Sequence, residues 1–111
     1  MGVVVMAVLT VIRLSEAALI WADCPLGGSV SVQLDNALQA LLDEGVSPLV
    51  IDLVRVPTLD AGVVEVLAQA ADDAGDIDLA LHLRLPGGRR YVVRDGAELR
   101  FAIQQAYPKA A

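Results

Sequence analysis

Leu49-Val50-Ile51-Asp52-Leu53 is an apolar run of strand length, and the hydrophobic period changes after it. Residues 54–59 form a loop. From 61 to 74 the apolar positions Val63, Val66, Leu67, Ala70, Ala71 and Ala74 share one arc of a helical wheel, with Glu65, Gln69, Asp72 and Asp73 opposite. A short apolar strand buried on both faces, then a loop, then an amphipathic helix, is the signature of a βα unit. Gly75 is read as the end of that helix.

The same alternation extends both ways. Upstream, residues 29–44 place Val30, Leu34, Ala37, Leu38, Leu41 and Leu42 on one arc, with Ser29 as N-cap and Gly45 as stop. Before them, residues 3–14 are β-branched and free of Gly and Pro, reading as one strand or two short ones. A turn at Ser15-Glu16 leads to a strand over 17–23, closed by Cys24-Pro25-Leu26-Gly27-Gly28. Downstream, residues 77–83 read as a strand, Pro86-Gly87-Gly88 as a tight turn and 90–93 as a short strand. Asp95 and Glu98 have capping-box spacing and open a last helix to about Tyr107, with Leu99, Ala102, Ile103 and Ala106 inward. The expected fold is α/β: a mixed central sheet of four to five strands covered by three amphipathic helices, in one domain over 1–111.

Composition sets the class. The chain has 111 residues, 56% hydrophobic but only 4% aromatic, so the core must be aliphatic. At this length roughly two thirds of the unfolded surface can be buried. Mean hydropathy is high, at +0.59. The uncharged run over 3–12 is nevertheless short of the ~20 residues a spanning helix needs. No Lys or Arg precedes Arg13, as a signal peptide would require, and Trp21-Ala22-Asp23 before Cys24 is a poor lipoprotein cleavage site. The expectation is a cytoplasmic protein without membrane insertion. Net charge is −6, which argues against nucleic acid. The local basic cluster Arg84, Arg89, Arg90 and Arg94 is read as solvated surface, with an acidic partner patch as the alternative.

Catalytic motifs are missing. His82 alternates with Leu81 and Leu83 and so faces away from them; no nucleophile lies near it in sequence. Cys24 is read as a small buried residue, and a single cysteine builds neither an internal disulfide nor a Cys-rich zinc site. Gly27-Gly28 and Pro86-Gly87-Gly88 lack phosphate-loop spacing. Asp72, Asp73, Asp76 and Asp78 do not match a calcium loop. No cofactor, metal or catalytic residue is expected. Phe101 falls on the polar side of the last helix and is read either as packing against the 90–93 strand or as part of a partner patch.

The segment Val56-Pro57-Thr58-Leu59-Asp60-Ala61-Gly62-Val63-Val64-Glu65-Val66-Leu67 sits where α/β folds display functional groups, between a strand end and a helix N-terminus. With Leu49 to Leu53 before it, this stretch resembles the STAS family of sulfate transporters and anti-sigma factor antagonists. Members typically carry a buried strand ending in Asp-Leu, a short loop, an apolar residue, then Asp-Ser-Ser/Ala-Gly and an apolar helix. The resemblance extends to about Leu83. Anchored on Gly62, it places Leu59 at the usual Asp, Asp60 at the serine phosphorylated in anti-sigma factor antagonists, and Ala61 at the following Ser or Ala. The acceptor hydroxyl is therefore absent; Thr58, the nearest one, is read as shaping the loop with Pro57 or as an alternative acceptor. Asp60 is also suited to cap the 61–74 helix, and that structural role is the alternative reading of its whole purpose. Residues 85–94 are also too short for the family's helix and strand, so a Pro-Gly-Gly turn stands in for a helix.

The resemblance implies a non-catalytic protein-binding domain whose contacts centre on Thr58, Leu59, Asp60, Ala61, Gly62, Val64 and Glu65. The implied partner is an anti-sigma factor or kinase-like regulatory protein. The alternative is an accessory subunit bound to the ATPase of a membrane (ABC or lipid) transporter. A homodimer is a further possibility, through edge pairing of the apolar first strand.

Overall fold

A computed structural model describes residues 2–6 and 8–108. The described residues form a mixed α/β fold: one six-stranded sheet, in the order β1-β2-β3-β4-β5-β6, and three α-helices. The strands are β1 (Gly2–Met6), β2 (Leu9–Leu14), β3 (Ala17–Trp21), β4 (Leu49–Asp52), β5 (Leu81–Leu85) and β6 (Arg89–Val93). The helices are α1 (Ser31–Asp43), α2 (Ala61–Asp76) and α3 (Gly96–Ala106). The sheet reaches six strands because the β-branched N-terminal run folds back on itself as β1 and β2. Ala7, between those two strands, lies outside the described residues.

Connection length decides strand direction. Two-residue and three-residue turns give antiparallel pairs β2–β3 and β5–β6, while the helical crossovers through α1 and α2 make β3, β4 and β5 parallel. The turn before β6 is Pro86–Gly88. Along β3, β4 and β5, burial alternates: Ala18, Ile20, Leu49, Ile51, Leu81 and Leu83 lie under the helices. Each such leucine contributes roughly 1.5–3 kcal/mol by leaving water. They join Leu34 and Leu38 of α1, Leu67 and Ala71 of α2, and Leu99 and Ile103 of α3 in a single core. Helices cover only this face. Val50 and Asp52 on the reverse are half-buried, so β4 is not the doubly buried strand its apolar run suggests.

Helix ends follow local chemistry, with three corrections. At α1, Gly45 adopts φ +69° and closes the helix: its amide donates to the Leu42 carbonyl, and the Val46 amide to that of Leu41. Ser29 is not the N-cap. The chain enters through a 3-10 turn over Gly28–Val30, and it is the Ser31 hydroxyl that donates to the Gly28 carbonyl at 2.7 Å. Gly75 does not stop α2, which runs on to Asp76; it is a point of close approach, where a Cβ would collide with the Arg94 carbonyl. At α3, Asp95 caps the Glu98 amide at 2.8 Å. The Glu98 carboxylate accepts from Arg94 N rather than from the cap residue's own amide, an offset of one residue from the usual box. The strand expected over 17–23 ends at Trp21.

Among the described residues, no helix is long and apolar enough to cross a membrane.

Candidate functional site

The loop from β4 to α2 is tied down at nearly every step. The Asp52 carboxylate accepts from the Val54 amide at 3.0 Å, forming a local turn. The Leu53 amide donates to the Arg84 carbonyl at 2.7 Å, and the Val56 amide to the Leu53 carbonyl at 3.0 Å. Val56 is wholly buried. Past it, Leu59 forms an isolated parallel bridge with Leu26. The Leu26 amide donates to the Thr58 carbonyl at 3.1 Å, and the Asp60 amide to the Leu26 carbonyl at 2.9 Å. Leu26 and Leu59 are both buried, so this bridge is anchored by its side chains as well as its backbone.

Asp60 emerges at the end of that bridge as N-cap of α2, with extended backbone at φ −73° and ψ 150°. Its Oδ1 accepts from the Gly62 amide at 3.0 Å, and its carbonyl accepts from the Val63 and Val64 amides. One carboxylate thus satisfies a free first-turn donor and meets the positive end of α2. Its Oδ2 faces Gly28, in the 3-10 turn before α1; a Cβ there would sit 3.5 Å from it. The carboxylate therefore stands between the starts of two helical segments, and the residue as a whole is exposed.

The expected site residues divide by burial. Thr58, Asp60, Ala61 and Glu65 are exposed and Gly62 is half-buried, forming one surface at the head of α2. Leu59 and Val64 are buried and contribute no side chain to it. Leu59 is held inward by its bridge to Leu26. Val64 exchanges roles with Val66, which is only half-buried, because α2 packs between α1 and α3 and buries a wider arc than the wheel centred on Val63. Glu65 is ion-paired with Arg100 of α3 at 2.6 Å, so its carboxylate is oriented along the surface toward that helix.

Phe101 is 61% exposed, on the outer side of α3. Cys24 is a half-buried free thiol rather than a core residue. His82 lies on the uncovered sheet face, on the opposite side from Leu81 and Leu83. Among the described residues no group of three His, Cys, Asp or Glu side chains converges to hold a metal ion. What the head of α2 offers chemically is an oriented anion beside small residues, suited to a hydrogen-bond donor or cation on an approaching surface.

One residue behind the loop carries no signal in the sequence. Tyr107 is buried, and its hydroxyl lies 2.7 Å from the Val56 carbonyl and 3.2 Å from that of Leu53. Burial pushes its phenol up to about 12. Its partners lie more than fifty residues earlier, beyond the reach of any local pattern. Compared with protein-family models and with curated proteins, the chain matches none.

Proposed function

We propose that this chain is a cytoplasmic, non-catalytic protein-binding domain of the STAS, anti-sigma factor antagonist type, which binds through the head of α2. The observation that supports this reading is Asp60: an exposed carboxylate at a helix N-cap, held by the Leu26–Leu59 bridge, at the place where the resembling family carries its phosphorylated serine. A phosphoserine brings about −1.5 to −2 charge and is reversible. Asp60 brings a fixed single charge that is already engaged in capping α2. The domain on this reading has one permanent binding state and no phosphoserine switch.

Affinity capture with the wild-type chain and with Asp60→Arg tests it. The wild type is expected to retain an ATP-binding, kinase-like anti-sigma factor, and Asp60→Arg to lose it. Capture of an ABC-type ATPase instead would move the assignment to a transporter accessory subunit. A turnover abolished by His82→Ala or Cys24→Ala would replace binding with catalysis.

A further inference from the structure

The sheet face that the helices leave bare is built for cover. Register across the six strands aligns Val3, Ile12, Leu19, Val50, His82 and Val92 in one continuous row. Val3 is 59% exposed and Val92 51%, while Ile12, Leu19 and Val50 between them are half-buried by their neighbours alone. The row beside it carries Trp21, Asp52, Arg84 and Arg90. Strands at ~4.8 Å spacing make the row about 24 Å long, and five residues of strand make the face about 17 Å deep. That is a sheet face of several hundred Å² in outline, with one largely apolar row beside a polar one. Parallel strands are ordinarily covered on both sides, yet β3, β4 and β5 are parallel and covered on one.

Charge points to the occupant. The chain carries −6 overall, but this face is basic. Asp52 is the one carboxylate in the two rows, and it faces Arg84 at 3.5 Å. Arg90 has no ion-pair partner among the described residues. Arg84 and Arg90 border a 300 Å³ depression floored by Val50 and Val92, and Arg55 joins Arg84 at a second of 310 Å³ beside Trp21. A second copy fits poorly: it brings the same arginines on this face, and its own helices have already buried their apolar sides in the core. We infer that the bare sheet face docks an acidic amphipathic helix of a different protein, laid across the strands. Its apolar side covers the Leu19–Val50 row and its carboxylates reach Arg84 and Arg90. About 16 residues of helix span the row at 1.5 Å each. This surface is separate from the head of α2, so the two are testable independently.

A photo-crosslinking amino acid in place of Val92, in the full chain inside its own cells, tests the inference. The crosslinked peptide is sequenced, synthesised and titrated against the purified protein. The expected result is a segment of another protein with an apolar stripe at helical spacing and a net negative charge. Its affinity should fall at least ten-fold with Arg84→Glu/Arg90→Glu and stay unchanged with Arg13→Glu, whose side chain lies on the helix-covered side and pairs with Glu44. Crosslinking to a second copy or to lipid, a segment without that pattern, an absence of crosslinks, or an affinity indifferent to Arg84→Glu/Arg90→Glu would overturn it.

Discussion

The hydroxyl of Tyr107, at the end of α3, lies 2.7 Å from the carbonyl of Val56, in the loop that delivers Asp60. This bond joins the last helix to the segment that positions the candidate binding face. Val56 is wholly buried, so its carbonyl has no water to fall back on.

Tyr107→Phe removes that donor and keeps the ring. A buried acceptor left without a partner costs about 1–3 kcal/mol. Urea unfolding should show a loss of that size, and amide exchange should quicken through residues 53–60. Unchanged stability would mean the loop is held by its backbone bonds alone.

Alkaline titration tests the same contact. The Tyr107 phenol titrates at 10.0 when exposed and is pushed up to about 12 by burial in the fold. Unfolded chains therefore release this proton first as pH rises. Its contribution is full below pH 10 and is lost between about 10 and 12, at a slope approaching 1.4 kcal/mol per pH unit. In Tyr107→Phe that part of the decline should vanish.

Gly75→Ala separates intrinsic propensity from packing. In an exposed helix the change gains about 1 kcal/mol. Here the new methyl meets the Arg94 carbonyl, and overpacking typically costs about 1–3 kcal/mol. Net destabilisation is expected in thermal or urea melts, whereas Gly27→Ala, with open space around it, should be near neutral.

Asp60→Ala should cost about 1 kcal/mol through the lost cap, and Asp60→Ser should cost almost nothing, since serine caps comparably. Equal losses for both in the same melts would mean that the carboxylate stabilises by charge rather than by its bond to Gly62.

What was legible in the sequence was local. The helical periods of 29–44 and 61–74, the stop at Gly45 and the caps at Asp60 and Asp95 depend on neighbours a few residues away, and each has its counterpart in the structure. The misplaced features depend on distant ones. Gly75 looked like a helix stop, yet its meaning comes from Arg94. Val64 is buried because α1 and α3 flank α2. An apolar run such as Leu49 to Ile51 reads the same whether one face of the strand is covered or two, so the bare sheet face was invisible until the helices were placed. Of the candidate site, the capping carboxylate was legible, while the inward turn of Leu59 needed Leu26 from an earlier loop.

The central claim is that Asp60 fixes the head of α2 in one binding state. The direct measurement is calorimetric affinity for the kinase-like partner that the proposed function implies, with and without prior incubation with ATP, for wild type and Asp60→Ser. The account predicts that ATP leaves wild-type affinity unchanged, and that Asp60→Ser binds alike until ATP phosphorylates it and releases the partner. Wild-type binding lost on incubation with ATP, or Asp60→Ser neither phosphorylated nor altered in affinity, would contradict it.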